Sequence, residues 1–118
     1  MIIKEFNNLE EIQKYYDEES NTYLFKEDDK YIDVVILNFD LQVKSHIAAF
    51  DINAKNMEVW NIDASNIKAN NIIAYEIDIC NIDACDIKSY SIDACTIKSC
   101  SLETYDIRCG KIIVKQTE

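Results

Sequence analysis

The sequence predicts an all-β solenoid with a small N-terminal cap, and three observations carry that expectation. From Ile47 to Val114 a large aliphatic residue returns at every fifth position: Ile47, Ile52, Met57, Ile62, Ile67, Ile72, Ile77, Ile82, Ile87, Ile92, Ile97, Leu102, Ile107 and Ile112. Two places after each lies a second uncharged row, mostly small: Ala49, Ala54, Val59, Ala64, Ala69, Ala74, Ile79, Ala84, Ser89, Ala94, Ser99, Thr104, Cys109 and Val114. Between and after these rows the residues are charged or turn-forming, as in Ile82-Asp83-Ala84-Cys85-Asp86. A five-residue unit cannot bury its own apolar face, so a core forms only where such units stack.

The first third, residues 1–42, is not repetitive and is expected to cap the repeats. Asn8 followed by Glu11 has the form of a helix N-cap with its capping-box partner. Leu9, Ile12 and Tyr16 then share one helical face, which predicts a short amphipathic helix over Leu9–Glu19. Thr22–Phe25 and Tyr31–Leu37 are β-rich runs on either side of Lys26-Glu27-Asp28-Asp29-Lys30, which predicts a hairpin. Phe39, Leu41 and Val43 alternate with polar residues and lead into the solenoid. A cap is needed because an open sheet end offers unpaired backbone to other chains.

Within each repeat, apolar, charged, apolar is the period-two pattern of a short strand with one buried face. The charged place holds Asp63, Lys68, Asp78, Asp83, Lys88, Asp93, Lys98, Glu103 or Arg108. The fifth place holds Asn61, Asn66, Asn71, Asn81, Asp86, Ser91, Thr96, Ser101 or Asp106, residues that favour turns. The expected domains are therefore a capping segment over 1–42, repeats over 43–115 and a tail over 116–118. The chain has one Gly and no Pro, so its corners cannot rest mainly on type I′ or II′ turns.

Strings such as Cys85-Asp86-Ile87-Lys88-Ser89, Ser65-Asn66-Ile67-Lys68-Ala69 and Cys95-Thr96-Ile97-Lys98-Ser99 resemble the pentapeptide-repeat family. The resemblance covers the repeats and implies a right-handed, quadrilateral (four-sided) β-helix with one pentad per side and twenty residues per coil. Charges of one kind do recur at twenty: Asp63, Asp83, Glu103, and Lys68, Lys88, Arg108. The alternative is a three-sided β-helix with fifteen residues per coil, on which Trp60, Tyr75, Tyr90 and Tyr105 form a ladder. In the family the small residue two before the aliphatic one points inward. Here that place holds Lys55, Trp60 and Asn70, costly or too large to bury. The expected structural core is instead Ile62, Ala64, Ile67, Ala69, Ile72, Ala74, Ile77, Ile82, Ala84, Ile87, Ile92, Ala94, Ile97, Leu102, Ile107 and Ile112. A family-faithful arrangement would bury the cysteines.

The remaining row, Trp60, Tyr75, Cys80, Cys85, Tyr90, Cys95, Cys100 and Tyr105, is the candidate interaction surface, because aromatic rings give large contact area at modest entropy cost. Plain corner packing explains the same row. Four of its members are thiols without an accompanying histidine, and cysteine commonly behaves as a small hydrophobe. The carboxylates Asp83, Asp86, Asp93 and Asp106 fit a solvated face of alternating charge. His46, the only histidine, has no visible nucleophile constellation, and a lone Gly110 cannot build a phosphate loop.

The expectation is thus a non-enzymatic structural or protein-interaction module, without catalytic residues, metal or cofactor. A net charge of −10 argues against nucleic acid, since phosphate binding needs clustered cations. No apolar run spans a membrane and the N-terminus lacks a signal peptide, which points to a cytoplasmic protein. The expected partners are an unidentified protein and a second copy, through the C-terminal coil. Two alternatives stand beside this. One is a DNA mimic that inhibits a type II topoisomerase, as some members of the similar family do. Against it, about seventy residues at twenty per coil make a rod of about 17 Å, half of one ~34 Å turn of B-DNA. The other is a thiol-based metal-binding or redox protein.

Overall fold

The computed structural model describes residues 1–114; Lys115 and the tail 116–118 of the expected domains lie outside the described residues. The protein is all-β apart from one short 3-10 helix. Its strands are β1 (Ile3–Phe6), β2 (Tyr16–Asp17), β3 (Thr22–Leu24), β4 (Lys26–Glu27), β5 (Lys30–Tyr31), β6 (Val34–Leu37), β7 (Leu41–Gln42), β8 (His46–Ala48), β9 (Asp51–Ala54), β10 (Asn56–Glu58) and β11 (Asn61–Val114). All but β4 and β5 join one curled, nine-stranded sheet. Among the described residues no helix is long and apolar enough to cross a membrane.

β11 sets the architecture. At ~3.3 Å per residue a straight strand of its 54 residues would reach roughly 180 Å. The longest dimension of the molecule is 41 Å, so the chain must bend and return beside itself. Its pairing with the preceding strands is parallel and in register, Ile62 against Ile47, Ile67 against Ile52 and Ile72 against Met57. Each of these partners is fifteen residues apart, not the twenty expected of a four-sided coil. The same interval continues along β11, where Asn81 Nδ2 donates to Asn66 Oδ1 at 2.7 Å and Tyr90 packs on Tyr105 at 5.5 Å.

Bends occur without glycine because the backbone shares acceptors there. Ser65 and Asn66 both donate N–H to the Phe50 carbonyl, Asn70 and Asn71 to that of Lys55, and Tyr75 and Glu76 to that of Trp60. No described residue in the repeats has a positive φ. Satisfying two donors with one carbonyl keeps buried backbone paired through each corner.

Between bends, the Ile row and the Ala row both face inward. Every expected core residue from Ile62 to Ile97 is buried, the isoleucines nearly completely. β-branched chains fill a pleated face well, and the alternation of large with small lets neighbouring levels interlock. The pattern fades at the end: Leu102 and Ile107 are half-buried and Ile112 is 44% exposed, contrary to their expected place in the core. Nothing described lies beyond them to cover that end.

The N-terminal third closes the opposite end and departs most from expectation. The Asn8 side chain does accept from the Glu11 N–H at 3.1 Å, but the Glu11 carboxylate accepts from Asn7 rather than closing a box on Asn8. The helix is a 3-10 turn over Leu9–Tyr15, not an α-helix to Glu19. With three residues per turn, i and i+3 align, so Ile12 and Tyr15 are buried on one face in place of the expected Ile12 and Tyr16; Leu9, on the same face at the start of the turn, is 40% exposed. The expected hairpin shrinks to β4 and β5, around Asp28 and Asp29 at φ 51° and 64°. Two positive φ values in a two-residue loop are the mark of a type I′ turn, here made with Asp in place of Gly. β3 and β6 do not pair with each other; they run parallel to β8 and β9. Glu27, at the hairpin, ties the segment together: its carboxylate meets Lys4 Nζ at 3.0 Å and accepts from the Tyr15 hydroxyl at 2.8 Å. Those two bonds hold the Glu27 carboxyl below its usual range, while burial and this neighbour push the Tyr15 hydroxyl up to about 12.

Two predictions follow from the register. Substituting Ile82→Ala should cost about 2–5 kcal/mol in a denaturant titration, because the side chain is 1% exposed. Mild oxidation should join Cys80 to Cys95 and Cys85 to Cys100 in peptide maps. Residues fifteen apart lie about one strand spacing, ~4.8 Å, from each other, within the Cα separation a disulfide spans. A twenty-residue interval would yield Cys80 joined to Cys100 instead.

Candidate functional site

The fifteen-residue interval sorts the candidate row into three separate columns. Trp60, Tyr75, Tyr90 and Tyr105 form one; Cys80 and Cys95 stand in a second, Cys85 and Cys100 in a third. The aromatic column is open to solvent, with the rings 39%, 63%, 62% and 88% exposed in that order. Trp60 meets the His46 ring edge-on at 5.9 Å, and Tyr90 tilts against Tyr105. Cys80, Cys85 and Cys95 are exposed thiols and Cys100 is half-buried. Among the described residues, no three His, Cys, Asp or Glu side chains are gathered closely enough to hold a metal ion.

Outward charges are sorted by the same rule. One column reads Asn53, Lys68, Asp83, Lys98, alternating in sign from level to level. Another brings Lys88 Nζ to 3.7 Å from Glu103 Oε2. The column beside the aromatic one is different: Asp63, Asp78 and Asp93 succeed each other with no cation between. With Glu76 and Asp106 they put five carboxylates on one shallow groove, against Arg108 and His46. None of the five forms an ion pair among the described residues. Partial burial, then the charges of Asp63 and Asp93, raise the Asp78 carboxyl above its ordinary 3.8.

The alternating face expected for Asp83, Asp86, Asp93 and Asp106 thus divides. Asp93 and Asp106 belong to the acidic groove, Asp83 to the alternating column, and Asp86 to a groove with Lys88 and Glu103. Sequence reasoning missed the acidic column because its members look like any outward Asp. Its signal was present: a shared charge at the interval of the aromatic ladder.

On the far side of the rings a second shallow groove is lined by Glu58, Val59, Ile73 and Ala74 beside Trp60 and Tyr75. Gln42 and Lys44 also line it, so at Trp60 and Tyr75 the rings stand beside a groove of mixed polarity that lacks the five carboxylates of the first. The row of exposed rings offers broad contact area.

Because the Asp78 carboxyl is raised in the folded chain, its protonation favours folding, and the stability it adds below pH 3.8 is lost as pH climbs through the raised value. Asp78→Asn should then stabilise the protein at neutral pH by up to about 0.5 kcal/mol, the scale of exposed like-charge pairs. Denaturant titrations at pH 7 and pH 3 check this: the gain should vanish in acid. No family model, curated protein or solved structure matches the chain.

Proposed function

We propose that the chain is a non-enzymatic structural or protein-interaction module, a three-sided β-helix of five-residue repeats that associates with a second copy through its C-terminal coil. The fifteen-residue register supports three pentads per coil, one fewer than the resemblance to pentapeptide-repeat proteins implies. Flat sides and a ridge of rings suit contact with other proteins rather than enclosure of a small substrate.

The observation that carries the association is the asymmetry of the two ends. At the N-terminal end Phe6, Ile12, Phe25 and Ile32 cover the core and are themselves buried. At the other end the two inward rows emerge, with Ile112 and Val114 44% and 54% exposed. The interior there also turns polar. Ser99 is fully buried and its hydroxyl has no partner among the described residues, while Ser89 reaches Thr104 at 3.4 Å. Apolar rows exposed at one end of the described stack are a surface that another coil would cover.

Sedimentation equilibrium should return twice the 13.7 kDa chain mass, and Ile112→Asp should return the monomer without loss of the β circular-dichroism signal. A wild-type chain that stays monomeric at high concentration would overturn the association.

A further inference from the structure

We propose that the aromatic ridge and the acidic trough beside it bind an extended, arginine-rich segment of a partner protein. This rests on reading the chain as a protein-interaction module and adds the chemistry of what it holds.

Two independent features meet here. The rings of Trp60, Tyr75, Tyr90 and Tyr105 recur once per fifteen residues and remain exposed. Directly after each ring in the chain comes Asn61, Glu76, Ser91 or Asp106, and two places further Asp63, Asp78, Asp93 or Arg108. A strip of π-faces therefore runs beside a strip of carboxylates. Carboxylates alone attract any cation. Rings alone accept many apolar groups. Together they fit a guanidinium, which stacks flat on an aromatic face and forks its N–H donors onto carboxylate oxygens.

The charge pattern points the same way. Like charges at successive levels destabilise a sheet, and a neighbouring column alternates in sign. The column keeps one sign over Asp63, Asp78 and Asp93, meets a cation only at Arg108, and has no ion pair among the described residues. A bound polycation supplies the counter-charges that Arg108 alone does not give to five carboxylates. Four rings at ~4.8 Å intervals extend about 14 Å, the reach of four or five extended residues. Neither column that alternates or pairs, Lys68 with Asp83 or Lys88 with Glu103, offers this.

Trp60 is the only tryptophan and stands in the ridge, so its fluorescence reports occupancy. The chain is titrated with hexa-arginine, hexa-lysine and hexa-glutamate at physiological salt. Hexa-arginine should give a saturable change, hexa-lysine a weaker one and hexa-glutamate none. The double variants Tyr75→Ala/Tyr90→Ala and Asp78→Asn/Asp93→Asn, both on the exposed surface, should each weaken hexa-arginine on the order of tenfold. Their circular dichroism should match the parent. No saturable response to hexa-arginine would overturn the proposal. So would equal affinity for both basic peptides with no effect of the tyrosine variants, which is generic attraction to a chain of charge −10. If hexa-arginine fails while sedimentation still gives the dimer, the partner chemistry falls and the interaction-module reading stands. If the dimer fails while the peptide binds, only the C-terminal association falls.

Discussion

The repeats depend on the chain returning beside itself in register after fifteen residues. In the repeats each strand N–H and C=O finds its partner at that distance. Register also decides what is inside. A slip of one residue would turn Asp63, Lys68 and Asp78 toward the core and Ile62, Ile67 and Ile77 toward water. Ile stacks on Ile and Ala on Ala because the five-residue period divides fifteen evenly. The shared carbonyls of Phe50, Lys55 and Trp60 then carry the pairing around the corners without special residues.

The five-residue period was plain in the sequence; the number of periods per return was not. A large aliphatic residue occupies its row in every pentad, Ile at all but Met57 and Leu102, so the apolar rows read the same at fifteen and at twenty. Only the outward residues distinguish the two. Trp60, Tyr75, Tyr90 and Tyr105 mark fifteen, whereas like charges recur at twenty and argue for a longer coil. That second signal misleads for a physical reason. Stacked equal charges are unfavourable, so Lys68 and Lys88, or Asp83 and Glu103, repeat at an interval at which they do not meet, with Asp63, Asp78 and Asp93 the exception. The Lys88–Glu103 contact and the alternation of Lys68, Asp83 and Lys98 follow from the shorter return.

The N-terminal third was less legible because its structure is set by what it lies against. Pairing intervals lengthen there from fifteen to sixteen at Leu41–Met57, seventeen at Leu37–Ala54 and twenty-four at Tyr23–Ile47. The extra residues are spent on the β4–β5 hairpin and on local turns. Helical periodicity over Leu9–Tyr16 gave way to a 3-10 turn because the buried pair is Ile12 and Tyr15. An Asp28-Asp29 turn has no glycine to announce it. The bond from Tyr15 to Glu27, and from Glu27 to Lys4, joins three segments that no local rule connects.

Interior and exterior are under unequal constraint in such a chain. Inside, volume and register leave each place with one or two tolerable residues, so the interior describes the fold and little else. Outside, any soluble residue serves, and the cheapest arrangement alternates charge from level to level. Departures from that arrangement are where a surface carries information. Two occur here, and they lie close in the chain: a column of rings left open to water and a column with three successive aspartates before its first cation, Arg108. The thiol columns are milder departures, since cysteine is small and accepts partial burial. Each aspartate costs little alone at the surface, yet burial against its neighbours is enough to raise the Asp78 carboxyl. A sheet that pairs charges elsewhere could pair them here by a single Lys. It does so only at Arg108, after three like charges beside a run of exposed aromatics, and that is why the proposed partner is placed on this flank.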